Sequence, residues 1–309
     1  VRNLPSYVLV TPARNEAQFI ESTIQSVVAQ TVRPLKWVIV SDGSTDGTDE
    51  IVSRYAVAHD WIELLRMPER KVRNFAGKAY AFKAGKDRME GLPYDVIANL
   101  DADITFESGY FAFLLEKLVD DLLLGVVGTP YVEKTGEIFD YRFTSLDHVS
   151  GACQVFRRAC YEGIGGYVPV RVGTIDCIAV MTARMKGWRT RTFTEMVCHH
   201  HRKTGTAERG PMKANFMTGV MDYAMGNHPL WELFRTAYQM TKRPFLVRGL
   251  ALGWGYLWSV LQRGERPVSS ELIKFHRREQ MQRLKKKLFR NSPSDDQPLL
   301  AREEARGSR

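Results

Sequence analysis

Four short apolar runs in residues 1–105, alternating with stretches of helical periodicity, constrain this chain more than any other feature. Residues 7–11 (YVLVT), 37–40 (WVIV) and 94–100 (YDVIANL) are rich in β-branched and aromatic side chains and too short for helices, and residues 62–66 are a further strand candidate. Residues 16–31 carry apolar groups at Phe19, Ile20, Ile24, Val27 and Val28, and residues 49–58 and 74–90 also read as helices. Strands alternating with helices build βαβ units and a mostly parallel sheet, whose ligands bind at the carboxyl ends of the strands. Pro12 closes the first run, and the polar segments 11–16, 41–48 and 101–103 all fall at strand ends. The expected architecture therefore gathers them in one crevice.

Further along, residues 151–158 (GACQVFRR) read as a strand and 164–167 as a turn. Residues 176–186 read as a helix stopped by Gly187, and 189–197 as a strand leading into Cys198-His199-His200-His201-Arg202. Charge is distributed unevenly. The net +9 arises almost wholly in residues 211–290, with 15 basic and 5 acidic side chains, whereas residues 1–210 carry 26 of each. A localised excess of this kind points to an anionic partner for that segment. The four cysteines, Cys153, Cys160, Cys177 and Cys198, form no CxxC pair and are expected to be reduced core thiols. The first residues carry no signal-peptide pattern, and no uncharged apolar stretch of membrane-spanning length occurs.

Chemistry concentrates first in Asp101-Ala102-Asp103. At a strand-to-loop junction both carboxylates can converge on one hard cation. Mg²⁺ or Mn²⁺ typically takes one or two carboxylates and completes its shell with phosphate oxygens, so it can neutralise a departing nucleoside diphosphate. A lone D-x-D is common by chance, and its position after a buried strand gives it weight. The segment 41–48 (SDGSTDGT) serves as a helix-capping βα loop. Together with Glu16, its Asp42 also offers acceptors to a base or a ribose hydroxyl.

Four segments in order and spacing then resemble glycosyltransferase family 2: residues 10–16 (VTPARNE), 40–48 (VSDGSTDGT), 77–79 (GKA) and 100–103 (LDAD). The resemblance covers roughly residues 5–205. It implies the GT-A fold, a Rossmann-like mixed and mostly parallel sheet with flanking helices, followed here by a C-terminal helical segment. It also implies a UDP- or GDP-linked sugar donor, a Mn²⁺ or Mg²⁺ cofactor and inversion at the anomeric carbon. By resemblance Thr11, Pro12, Arg14, Glu16, Asp42, Lys78, Asp101 and Ala102 line the nucleotide site, with Lys78 near the phosphates or ribose. Asp103 is the principal metal ligand, joined by Asp101 and His201. The family's general base is an acid opening a helix beyond the metal motif, often the second of an acidic pair. Here Ile175 replaces the first acid and Asp176 is the candidate, its alternative role being a charge at a helix N-terminus. Gly151 and the 165–167 turn resemble the acceptor-side loop. On a continuing strand His199 and His201 share one face, His200 and Arg202 the other, and His200 or Arg202 is expected near the diphosphate. The Gln-x-x-Arg-Trp motif of processive members does not occur, so a single addition per encounter is expected.

These readings divide the chain into a catalytic domain over 1–210, a basic helical segment over 211–290 and a disordered tail over 291–309. Within the domain, residues 1–105 form the nucleotide-sugar half and 106–210 the acceptor half. Residues 244–261 (PFLVRGLALGWGYLWSVL) carry Trp254, Tyr256 and Trp258, aromatics suited to a membrane–water interface. Residues 271–290 follow with eight basic and two acidic side chains, and Leu272, Phe275, Leu284 and Leu288 are available for one helical face. Together they resemble an in-plane anchor on anionic lipid. The expected enzyme therefore acts on a saccharide or lipid-linked acceptor at the cytoplasmic face of the cell membrane, with no nucleic-acid partner. Two alternatives are a nucleotidyltransferase, which lacks its usual glycine in 11–16, and an inactive nucleotide-binding scaffold, against which the retained acids argue.

Overall fold

The computed structural model describes residues 3–69, 75–133, 145–202 and 211–289. The tail expected to be disordered, 291–309, lies outside them. The chain divides into two compact units, the first holding the described residues up to 171 and 175–202, the second 172–174 and 211–289.

In the first unit the elements run β1 (Tyr7–Ala13), α1 (Ile20–Val28), β2 (Lys36–Asp42), α2 (Thr48–Ala58), β3 (Ile62–Met67), α3 (Ala76–Asp87) and β4 (Val96–Leu100). They continue with β5 (Ile104–Thr105), α4 (Tyr110–Asp120), β6 (Leu124–Gly128), β7 (Tyr131–Glu133), β8 (Cys153–Arg157) and α5 (Arg158–Gly163). The unit ends with α6 (Ile175–Met185), β9 (Arg189–Thr192) and β10 (Cys198–His200). Seven strands form one sheet in the order β3-β2-β1-β4-β8-β6-β9, parallel throughout except for β8, which runs against both β4 and β6. Helices cover both faces, which is why the central strands read as unbroken apolar runs. Tyr7, Leu9, Trp37 and Ile39 point to the face covered by α1 and α4, where Ile20, Ile24, Phe111 and Leu114 pack on them. Val8, Val10, Val38 and Val40 face α3 and α6, meeting Ala81, Phe82, Ala179 and Val180. Each fully buried Val, Leu, Ile or Phe among them contributes about 1.5–3 kcal/mol.

Three sequence expectations change. The first strand does not stop at Pro12 but runs to Ala13. Pairing to β4 ends at Val10, so from Thr11 onward one edge of β1 is open and a missing N–H is tolerated there. The first helix starts at Ile20, because residues 16–19 form a turn in which Phe19 N and Ile20 N both donate to Glu16 O at 2.9 Å. The strand expected over 189–197 is two strands. β9 extends the large sheet beside β6, whereas β10 crosses to a three-stranded sheet between β5 and β7.

The second unit comprises α7 (Pro211–Ala224), α8 (Pro229–Met240), α9 (Val247–Leu261) and α10 (Ser270–Phe289). α7 and α9 pack backbone against backbone. A β-carbon on Gly219 would fall 2.0 Å from Leu252 O, and one on Gly255 equally close to Phe216 O. On α10, Leu272 and Leu284 are buried while Leu288 is exposed.

Inside this unit Asp222, Asn227 and Glu232 are buried together. Arg235 Nη1 donates to Asp222 Oδ1 at 2.6 Å, and Asn227 Nδ2 to Glu232 Oε2 at 3.2 Å. Burial, with Asp222 beside it, lifts Glu232 to about 8. The unfolded chain releases this proton near an ordinary glutamate value, about 4.3, whereas the folded chain keeps it. The group's contribution is thus complete below about pH 4 and is lost as pH rises to about 8, at up to about 1.4 kcal/mol per pH unit. The thermal midpoint of this unit is expected to fall between pH 5 and 8, and Glu232→Gln to flatten that slope in calorimetry.

Candidate active site

β1, β2 and β4 end side by side, so their following loops share one rim. The first two loops are stitched together. Asn15, held at φ 56°, accepts from Thr45 N at 2.8 Å through Oδ1, and Glu16 N donates to Thr48 Oγ1 at 2.8 Å. Asp46 accepts from Thr48 N at 3.1 Å and Ala17 N at 3.0 Å; the N-cap of α2 is Gly47, so the Ser or Asp cap expected in the 41–48 loop does not occupy that position. Asp42 is buried at the end of β2, with Arg14 Nη1 4.0 Å from its Oδ2.

The acidic turn after β4 is fixed by its backbone. Asp101 N donates to Ala152 O at 2.9 Å, Thr23 Oγ1 to Ala102 O at 2.8 Å, and His201 N to Asp103 O at 3.0 Å. Ala102 belongs to the buried core under α1 and α4. The two carboxylates consequently face different partners. Asp101 takes the Lys78 ammonium, while Asp103, only 7% exposed, has His200 Nε2 at 3.3 Å and Arg202 Nε at 3.5 Å. Arg202 also pairs with Glu16, bridging the loop after β1 to the acidic turn, and its guanidinium lies 5.4 Å above the Phe19 ring.

Charge states follow from these contacts. Burial pushes the Asp101 carboxyl up, against the pull of Lys78. Burial would depress Lys78, but Asp101, Asp176 and Asp103 outweigh it and hold the ammonium above the ordinary lysine value. Burial would also raise Asp103, yet hydrogen bonding and charge from His200, then Arg202 and Lys78, keep it below the usual carboxylate range. His200, lowered by burial, is raised on balance by Asp103, Asp101 and Glu133. Asp103 is thus a fixed anion.

Gly151 joins the acidic turn to α6. Its carbonyl accepts from Lys78 Nζ at 3.0 Å and Asn99 Nδ2 at 2.9 Å, while its N–H donates to Asp176 Oδ2 at 3.1 Å. A β-carbon there would sit 3.0 Å from the Asp176 carboxylate, so glycine permits this approach. Tyr167 supports the same helix start, donating to Gln154 Oε1 at 2.6 Å, while Gln154 Nε2 reaches Val149 O and Asp176 O.

The sequence-derived candidates therefore gather as two linked groups, Glu16–Arg202–Asp103–His200 and Asp101–Lys78–Gly151–Asp176. The alternation expected for the histidine run holds at its end, with His200 and Arg202 both on Asp103. His201, expected from the sequence to join the metal ligands, donates its backbone N–H to Asp103 O, while its Nε2 lies 2.8 Å from Thr105 Oγ1 and its ring stacks on Phe19. Asn99 and Gln154 were missed as site residues because each sits in an apolar strand stretch, and Phe19 was read only as a helix-face apolar group. The oxygen-rich donors Asp101 and Asp103 suit a hard divalent ion. Among the described residues they do not form a three-donor cage with His200.

A βαβ sheet with acidic strand ends and a small accessory sheet at its rim is the GT-A architecture of sugar transferases. The chain belongs to glycosyl transferase family 2, whose family model matches residues 8–174. Poly-beta-1,6-N-acetyl-D-glucosamine synthase of Staphylococcus aureus (strain COL) is 24% identical over 217 residues, 64% of this chain and 50% of its own. The chain thus spans about half the length of that relative. Glycosyltransferase AglE of Haloferax volcanii is 31% identical over 102 residues, 32% of this chain and 31% of its own. Among solved structures, mannosyltransferase PcManGT from Pyrobaculum calidifontis, in complex with GDP-Man and Mn²⁺, superposes with a TM-score of 0.56. It is 19% identical, with 94% of this chain and 89% of that one covered. S. aureus TarS 1-349 with UDP-GlcNAc gives 0.54 at 13% identity, covering 84% and 73%.

Proposed function

We propose that this chain transfers one sugar, with inversion, from a UDP- or GDP-linked donor to a hydroxyl of a saccharide or lipid-linked acceptor. The observation that carries the reading is the pair of linked charge networks on one sheet rim. Thr11, Pro12, Arg14, Glu16, Asp42, Lys78 and the acidic turn receive the nucleotide. Asp103 and Asp101 would hold Mn²⁺ or Mg²⁺, which would supply charge neutralisation to the leaving diphosphate. Lys78 and Arg202 place fixed positive charge beside the same turn, and a guanidinium can fork onto two phosphate oxygens. Asp176, aimed by the Gly151 amide, takes the acceptor's proton as the hydroxyl attacks. Released nucleoside diphosphate and an inverted product anomer are the expected result with Mn²⁺, one donor of a UDP- and GDP-sugar panel and an acceptor. Released pyrophosphate would overturn it in favour of nucleotidyl transfer.

The helical unit supports peripheral binding to an anionic membrane surface. Among the described residues no helix is long and apolar enough to cross a membrane. On α9, Leu250, Trp254, Leu257, Trp258 and Leu261 are all exposed and recur at helical spacing. α10 adds a dense set of Lys and Arg side chains. Aromatic groups at the interface and basic groups on lipid headgroups bind in this combination. Trp254→Ser/Trp258→Ser is expected to weaken sedimentation with phosphatidylglycerol vesicles about tenfold or more. Unchanged sedimentation would contradict the contact.

A further inference from the structure

Asp176 has neighbours that the transfer reaction does not use. Among the described residues one group of three side chains brings metal-ligating atoms together, and it is His148, Asp176 and Cys177. Their ligand atoms lie within 4.8 Å of one another and all three side chains are half-buried. The placement rests on fixed backbone. His148 N donates to Ser145 O at 2.9 Å, and its carbonyl accepts from the Thr192 hydroxyl on β9. Asp176 and Cys177 occupy the first turn of α6. Cys153, Cys160 and Cys198 are buried, and Cys177 is the cysteine with partial access to solvent.

The donor set is chemically distinct from the acidic turn. An imidazole nitrogen, a thiolate sulfur and a carboxylate oxygen match the borderline-soft ions Zn²⁺ and Co²⁺, whereas Mg²⁺ and Mn²⁺ prefer all-oxygen surroundings. Tetrahedral bonds of about 2.0–2.3 Å place ligand atoms roughly 3.3–3.8 Å apart. Reaching that spacing asks about an ångström of side-chain rotation. Three protein donors also leave a fourth position for water, as in open zinc sites. The Gly151 amide on Asp176 Oδ2 supplies the kind of outer hydrogen bond that orients a ligating carboxylate.

We infer that His148, Asp176 and Cys177 form a second cation site, selective for zinc-like ions, and that its occupation withdraws Asp176 from the acceptor and arrests transfer. On binding, the Cys177 thiol gives up its proton to solvent and the imidazole coordinates as the neutral ring, with no change of oxidation state. The arrest rests on the role proposed for Asp176; the binding does not.

Cobalt titration of the full chain reads the site without reference to activity. A near-ultraviolet thiolate-to-Co²⁺ absorption band is expected in the unaltered protein. It is expected to be absent in Cys177→Ser, and to need at least tenfold more Co²⁺ in His148→Ala. Zinc should likewise protect Cys177 from iodoacetamide, read by peptide mass spectrometry. No thiolate band, or an equal band in Cys177→Ser, overturns the site. In a transfer assay with Mn²⁺, micromolar Zn²⁺ should inhibit the unaltered chain at least tenfold more strongly than Cys177→Ser, whose zinc-free turnover is unchanged. A cobalt band at Cys177 with equal zinc sensitivity in both proteins would keep the site and overturn the arrest.

Discussion

Asp103→Ala is expected to reduce metal-supported turnover by roughly 10²–10³-fold, the scale of losing one fixed electrostatic element from a water-poor site. The physical reason is the asymmetry between the two aspartates. Burial makes Asp101 the weaker anion, balanced by Lys78, whereas His200 and Arg202 keep Asp103 charged. Removing Asp103 deletes the more dependable negative charge and takes from His200 and Arg202 the carboxylate they share. Arg202 keeps its pairing with Glu16, so the loop after β1 stays tied to the rim. Asp103→Asn, which preserves shape, should lose nearly as much turnover with little change in thermal midpoint. A loss confined to stability would mean that Asp103 is a structural anion.

Asp176→Asn is expected to lower kcat by roughly 10²–10⁴-fold, the usual range for a positioned general base, while donor affinity is retained. The carboxylate meets the Gly151 amide at 3.1 Å, and an asparagine oxygen preserves that bond while abolishing basicity. Single-turnover kinetics separates the two quantities. Gly151→Ala tests the positioning. Its β-carbon, 3.0 Å from the carboxylate, forces Asp176 aside by a few tenths of an ångström and should reduce kcat more than donor affinity. Equal weakening of donor binding in Asp176→Asn would assign this residue to the nucleotide instead.

How far the sequence reveals the molecule depends on whether a feature is local. β1, β2 and β4 are legible because strands buried on both faces are apolar over most of their length. The acids at their ends are legible because polar residues interrupt those runs abruptly. The antiparallel insertion of β8 between β4 and β6 is not, since its partners lie tens of residues away. α4, β6 and β7 fall in a stretch read only as part of the acceptor half, although α4 has a plain amphipathic pattern over 110–120. At the site, Asp101 and Asp103 announce themselves, but the choice between His200 and His201 depends on the register of β10 against β5, where His200 pairs with Ile104. The Arg202–Glu16 bridge spans 186 positions, and only tertiary structure brings it together.

The most direct measurement is calorimetric titration of UDP and GDP into chelator-treated protein, with and without Mn²⁺, for the unaltered chain and for Asp101→Ala/Asp103→Ala. Mn²⁺ should tighten binding of one nucleotide at least about tenfold in the unaltered chain and leave the double variant unmoved, a difference of about 1.4 kcal/mol in binding free energy. Equal nucleotide affinity with and without Mn²⁺ in the unaltered chain, or equal Mn²⁺ enhancement in both proteins, would contradict an acidic turn that grips a cation against the donor diphosphate.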